Sequence, residues 1–269
     1  MADARELDRL RRVGDRVREL LAEYTPPDFA HVPDRDAALF LCAVDHRTGY
    51  RAPHRVAGAG PYEGSELMWA IALDRARRST GLLRAASLRE VSGARVAELF
   101  LVEEETVADP DRRAALWREL AAALERDYRG SAAALLAASQ GRLGGGGGLL
   151  ARLARFEAYS DPLEKKSQLF AKICARRGWL EVADPERWQV SPDSVLMRLA
   201  LRSGLVEPGE REQVRAATRE AFGRLAESAG VEPPILDDLL WELGREDPDL
   251  LGVARDVREP QRDPGSAWY

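Results

Sequence analysis

FEAYSDPLEKKSQLFAKI, from Phe156 to Ile173, and VSPDSVLMRLALRSGLV, from Val190 to Val206, decide how this chain is read. Asp161-Pro162-Leu163-Glu164 has the form of a capping box with proline in the first turn, which predicts a helix over 162–176. Ser191-Pro192-Asp193-Ser194 opens a second helix in the same style and puts Asp193 at its N2 position. Two helices, one carrying adjacent lysines and the other opening on an aspartate, are the frame from which the rest follows.

Helical periodicity extends outward from there almost everywhere. Leu7, Leu10, Val13, Val17 and Leu20 recur at i+3 or i+4 and predict an amphipathic first helix. Ala37 to Val44 reads as a short buried helix behind Pro33 and Asp34, and a Gly-, Pro- and His-rich loop covers 46–64. Ser65 is expected to cap a helix to about Arg78, burying Leu67, Met68, Ile71 and Ala72. Ser87 and Ser92 mark short helices, and Asp109-Pro110 starts a long one ending near Tyr128. The run Gly144–Gly148 reads as a flexible break. Further helices are expected over Pro208–Ser228 and from Pro233-Pro234 to Leu243. Alternating β-branched runs are missing, so a sheet is not expected and the fold class is all-α. The expected organisation is an N-terminal helical region over 1–150, a C-terminal one over 151–257, and a polar tail over 258–269 whose Trp268-Tyr269 end is able to dock.

With 269 residues, 45% of them apolar and 32% charged, the chain has the profile of a globular protein with a sizeable core. A net charge of -5 argues against coating nucleic acid through bulk electrostatics but leaves room for a local basic groove. Cys42 and Cys174 lie far apart in apolar helical patterns, outside any CxxC pair. Zinc, iron–sulfur and disulfide roles are therefore not expected, and a reducing cytoplasm fits. The sequence shows no membrane-span-length apolar run and no signal-peptide core in MADARELDRLRR. The expectation is a cytoplasmic protein with no cofactor, no metal, no membrane association and no obligate protein partner.

The chemistry centres on Lys166 and Asp193. A lysine near a helix N-terminus sits at the positive end of the macrodipole, which together with burial favours the neutral, nucleophilic amine. Such an amine attacks C1′ of a deoxyribose and expels the base, leaving a Schiff base able to eliminate the 3′-phosphate. Asp193 would stabilise the sugar cation or orient a water. Plainer roles compete at each position. Asp161 is by local grammar an N-cap, Asp193 is favourable near a helix start without any catalytic duty, and Lys165 and Lys166 face different directions, so that one is a solvated charge. His31, His46 and His54, even with Asp45, match no common metal-ligand spacing and read as structural. Arg75, Arg77, Arg78, Arg84 and Arg89 form a basic cluster that either contacts phosphates or is a solvated face. Trp179, Trp188, Trp241 and Tyr159 supply aromatic surface that serves either as core or as base-stacking platform. P-loop, GxGxxG and GxSxG signatures are missing from the sequence.

These residues resemble the helix–hairpin–helix glycosylase superfamily, and in particular the archaeal 8-oxoguanine DNA glycosylases. Lys166 in KKSQLF matches their helix-opening lysine, Asp193 in SPDSVLMRLALRSGLV their aspartate, and PPILDDLLWELGRE (Pro233 to Glu246) their closing motif. The chain also resembles the queuosine salvage nucleotide hydrolases. PYEGSELMWAIALDRA (61–76), ALWRELAAALERDYRGSAAALL (115–136), FEAYSD (156–161), KKSQ (165–168), Asp193, EQVRAAT (212–218) and LDDLLW (236–241) follow that family's order and cover about two thirds of the chain. The salvage family surrounds its aspartate with phenylalanine, alanine, tyrosine and arginine, whereas Ser191, Pro192, Ser194 and Val195 stand here.

The resemblance implies a multi-helix bundle of the helix–hairpin–helix type and N-glycosidic chemistry on a changed base. Asp193, Lys166 and Asp161 are the implied catalytic residues, and Lys165, Gln168, Tyr159 and Trp241 the implied substrate contacts. The expected activity is that of a DNA glycosylase, with or without lyase activity, excising a modified base flipped from the duplex. A hypermodified phage base, and with it a role in phage defence, suits a remodelled pocket. A hydrolase acting on a modified purine nucleoside monophosphate and a catalytically silent nucleic-acid-binding module are the alternatives.

Overall fold

The computed structural model describes residues 4–252, 254–261 and 268, with side chains from residue 6. In chain order the elements are α1 (Ala4–Leu21), α2 (Arg35–Val44), the strands β1 (His54–Val56) and β2 (Ala59–Tyr62), α3 (Gly64–Arg78), α4 (Ala85–Leu88), α5 (Gly93–Leu99), α6 (Pro110–Tyr128) and α7 (Ala132–Ser139). They continue with α8 (Leu149–Leu153), α9 (Lys165–Arg176), α10 (Ser194–Arg202), α11 (Arg211–Ala229) and α12 (Pro233–Glu246). The chain is mostly helical, as its periodicity requires. No described helix is long and apolar enough to cross a membrane.

The absence of a sheet needs correcting. β1 and β2 pair antiparallel, His54 opposite Tyr62 and Val56 opposite Ala59. Ala57 and Gly58, both at positive φ (50° and 85°), form the two-residue turn whose twist suits a hairpin. Strands of three and four residues are too short to show an alternating pattern, which is why this segment reads as loop.

Packing divides the chain into two units, 4–28 with 186–261 and 29–185 with Trp268, rather than at residue 150. The larger unit is built around α2. Asp34 caps it by accepting from the Ala37 N–H at 2.9 Å, and every residue from Asp36 to Val44 is buried. A helix apolar on all sides belongs in the middle of a bundle, and α6, α7 and α9 pack on this one. Asp36 is tolerated there because it ion-pairs with Arg84 and accepts from the Ala132 N–H at 2.7 Å, joining the start of α7 to α2. Trp117 of α6 donates its indole N–H to the Phe40 carbonyl at 2.7 Å.

In the other unit α1 packs on α11, and α10 packs on α11 and α12. Val13, Val17, Leu196, Leu199, Phe222, Leu225, Leu239 and Leu240 are buried together. Leu7 is 57% exposed, so the apolar stripe of α1 engages the core only from its second turn onward. Arg202 and Asp249 form a two-pronged ion pair at 2.6 and 2.8 Å that ties the end of α10 to the turn after α12.

Several local expectations shift. Ser65 does not cap α3. It lies inside the helix and donates its hydroxyl to Asp45 Oδ1 at 2.7 Å, while the expected face of Leu67, Met68, Ile71 and Ala72 is buried. Ser92 caps α5, whereas Ser87 is interior to α4. The later helices start at Arg211 rather than Pro208 and end at Glu246 rather than Leu243. The glycine run separates α7 from α8 but is structured. Asp184 accepts the Leu143 and Gly144 N–H groups at 2.6 and 2.8 Å, and a Cβ on Gly148 would meet carbonyl oxygens of Gly144 and Leu143 at 2.2 and 2.4 Å. In the tail, Trp268 donates to Ser160 Oγ at 3.3 Å, and Tyr269 lies outside the described residues.

Candidate functional site

The helix expected over 162–176 begins three residues late. Asp161 to Glu164 form a turn, closed by the Glu164 N–H on the Asp161 carbonyl at 2.8 Å. Asp161 Oδ1 accepts from the Leu163 N–H at 3.0 Å and Oδ2 from the Lys165 N–H at 3.3 Å. Asp161 thus satisfies an orphan donor of α9 from outside the helix, and Glu164, at φ 54°, takes the cap position without capping the helix through its side chain. Lys165 and Lys166 consequently become the first and second residues of α9, nearer its positive end than the sequence indicates.

Lys166 turns inward and is 1% exposed, while Lys165 is only half-buried, so the adjacent lysines do part company. Lys166 Nζ donates to the Ala43 carbonyl at 2.6 Å and lies 3.2 Å from His46 Nδ1. Ala43 is in the last turn of α2, where carbonyls lack helical donors, so the lysine also closes the end of the central helix. Burial, with Lys165 next to it, pulls the Lys166 pKa down to about 7 against the opposing charge of Asp45. A substantial share of Lys166 is therefore neutral amine near neutral pH, although its dedicated acceptors are uncharged.

The floor of the site is the segment following α2. Asp45 is buried and accepts from Ser65 Oγ at 2.7 Å and from the Trp69 indole N–H at 3.2 Å, so α3 holds it in place. His46 is buried, and burial together with Lys166 and Arg113 keeps its imidazole unprotonated. Arg113 of α6, fully buried, donates to the carbonyls of His46, Arg47 and Ala108 and so fixes that segment's path. Its burial brings its own pKa down to about 10. Asp45, His46 and Arg113 carry no sequence signal as a group: they are scattered over 45–113, and only the packing of α2, α6 and α9 assembles them.

Of the other expected site residues in this unit, Tyr159 is a core residue, 1% exposed, with its hydroxyl donating to the Leu39 carbonyl at 2.5 Å. Gln168 is buried on α9 and Lys165 lies at the start of the same helix. Trp179 is stacked by Arg35 and Arg177, with centroid distances of 5.5 and 5.1 Å.

Asp193 and Trp241 belong to the other unit. Asp193 is the N-cap of α10 rather than its N2 residue, and Oδ1 accepts from the Leu196 N–H at 2.9 Å. The buried Asp237 of α12 accepts from the Ser191 N–H at 2.8 Å and so anchors the segment leading into that cap. Trp241 is half-buried, with the Arg245 guanidinium 4.7 Å from its ring centroid. Trp188 is buried.

The basic cluster is largely engaged within the protein. Arg75 donates to the Glu98 and Leu101 carbonyls, Arg78 pairs with Asp74, Arg84 with Asp34 and Asp36, and Arg89 with Glu125. Among the described residues no group of three or more His, Cys, Asp or Glu side chains is disposed to hold a metal ion. Cys42 and Cys174 are free and buried, and burial raises both thiol pKa values.

The chain matches no model of a known protein family, and no curated protein matches it.

Proposed function

We propose that this chain is an N-glycosidase of the helix–hairpin–helix type that excises a modified base from DNA, with Lys166 as the amine nucleophile. The observation that carries the reading is the state of Lys166: buried, second in its helix, bonded only to uncharged acceptors, with its pKa near 7. A lysine kept merely for charge would sit in solvent or against a carboxylate. One kept for nucleophilic attack needs the free amine at working pH.

In the proposed reaction the Nζ lone pair forms a bond to C1′ as the C1′–N glycosidic bond breaks. The base leaves with the bonding electrons and takes the proton that Nζ sheds. Ring opening then gives the Schiff base, from which the 3′-phosphate can be eliminated. Lys166 is 1% exposed, so the sugar reaches it only as the surrounding structure opens.

One observation favours the second substrate reading, a modified purine nucleoside monophosphate. The net charge is -5, and Arg75, Arg78, Arg84 and Arg89 are spent on internal partners, which leaves less positive surface for a DNA backbone.

The test is mass-spectrometric detection of free base after incubating the purified protein with genomic DNAs of diverse base modification, and with queuosine monophosphate in parallel. Base release from DNA that is lost in Lys166→Ala supports the proposal. Release from the mononucleotide alone assigns the chemistry to salvage. Failure to release base from either overturns the enzymatic reading in favour of a binding module.

A further inference from the structure

We propose that His46 is the positioning residue of the Lys166 amine: together with the Ala43 carbonyl it accepts both N–H bonds of the neutral amine and leaves the Nζ lone pair as the one free valence. The proposal rests on the reading of Lys166 as nucleophile.

A neutral amine has two N–H bonds and one lone pair, and an ammonium has three N–H bonds and none. Lys166 Nζ has two acceptors, the Ala43 carbonyl at 2.6 Å and His46 Nδ1 at 3.2 Å, in surroundings that exclude water. Two acceptors match the amine, whereas an ammonium would keep one buried N–H without a partner. With both N–H bonds committed, the tetrahedral geometry of nitrogen fixes where the lone pair points.

His46 can play this part only as an acceptor, so its own proton must reside on Nε2. The surroundings enforce that form. From α9 it faces Lys165 and Lys166, from α6 Arg112 and Arg113; burial and the charges of Lys165, Arg112 and Arg113 oppose a second ring proton even when Lys166 is neutral. Asp45, adjacent in the chain, has its carboxylate engaged by Ser65 and Trp69. The backbone beneath the ring is held by Arg113, which donates to the His46 carbonyl. A residue that acts by position must itself be positioned, and the His46 backbone is held by Arg113 and by its own N–H on the Val44 carbonyl at 3.0 Å.

The test uses the full chain and needs no knowledge of the target base. A single-stranded oligonucleotide with one abasic site presents a C1′ aldehyde. The Lys166 amine condenses with it to an imine with loss of water, and cyanoborohydride reduces the imine to a stable secondary amine, located by peptide mass spectrometry. Three variants are compared with wild type. His46→Asn keeps an acceptor, Oδ1, where Nδ1 stood. His46→Gln moves its amide to the place of Nε2, and His46→Leu keeps volume without an acceptor.

The expected result is adduct at Lys166 in wild type and at a similar rate in His46→Asn. His46→Gln and His46→Leu are expected to be slower by roughly ten- to a hundredfold, the usual effect of misplacing a reacting group. Should His46→Leu not fold, the Asn and Gln pair alone decides.

A second readout is the lysine Cε NMR titration of Lys166. Its midpoint is expected to be retained in His46→Asn and to fall in His46→Gln, because losing an acceptor disfavours the ammonium more than the amine. A purely structural role for His46 would leave that midpoint unmoved. Gln and Leu variants reacting as fast as wild type, or His46→Asn as slow as His46→Leu, would overturn the positioning role and leave Lys166 as nucleophile. No adduct in wild type would overturn the nucleophile reading and the positioning role with it.

Discussion

Replacing Lys166 by methionine removes one buried ionisable group, and the pH dependence of stability isolates its effect. The folded-state pKa of Lys166 is about 7, against about 10.4 for an unfolded lysine. Between these values the unfolded chain binds the proton and the folded chain does not, so stability rises with pH. The cost of the buried amine is full below about pH 7 and disappears as pH approaches the unfolded value. Linkage over pH 7 to 9.5 gives a gain of about 3 kcal/mol for wild type that Lys166→Met lacks. The window begins at pH 7, above the unfolded histidine value of about 6.5, so that His46, unprotonated in the folded chain, adds only about 0.2 kcal/mol, and that to both proteins alike. The lost bonds to Ala43 and His46 and the altered packing shift the two curves by a nearly constant amount and do not enter the slope. The assay is urea unfolding of both proteins at half-unit pH steps, followed by the transition of the unit containing α2. A wild-type minus variant difference that changes by less than about 0.5 kcal/mol over this range would refute the claim that Lys166 is an amine near neutrality. The nucleophilic reading would lose its main support with it.

Asp193→Asn should leave stability within about 0.5 kcal/mol, because asparagine caps as well as aspartate, whereas Asp193→Ala should cost about 1 kcal/mol in thermal or urea unfolding. If Asp193 is catalytic, both should lose most base release, so Asn separates charge from capping. Tyr159→Phe should cost about 1 kcal/mol for the lost bond to Leu39 and leave base release unchanged; a selective loss of turnover would return Tyr159 to the site. Gly148→Ala should destabilise by roughly 1–3 kcal/mol, because its Cβ would meet carbonyl oxygens at 2.2 and 2.4 Å, while Gly146→Ala has nothing within 4 Å and should be near neutral by the same measurement.

How far the sequence carries depends on whether the deciding interaction is local. Asp34 and Ser92 lie immediately before the helices they cap, and that grammar is readable because the bond spans three residues. At Asp161 the same grammar misleads: its side chain does bond the first N–H of α9, but across a turn, so the helix starts at Lys165. Ser65 misleads for another reason. Its hydroxyl goes to Asp45, a partner twenty residues away that no capping pattern contains. The hairpin at 54–62 escapes because short strands have no period to detect.

By itself the sequence determined that the chain is helical, where most of its helices lie, and that Lys166 stands near a helix start. Each follows from periodicity and near-neighbour bonding, which are properties of adjacent residues. Only the tertiary structure decided which lysine is buried and what meets it. Lys166 reaches Ala43 and His46 across more than a hundred residues, and Arg113 reaches His46 across 67. A pKa near 7 comes from desolvation and from charges gathered by packing α2, α6 and α9 together. Neither can be assigned to a residue until its neighbours in space are known, and for that reason a histidine that reads as structural in the sequence becomes the closest side-chain partner of the candidate nucleophile.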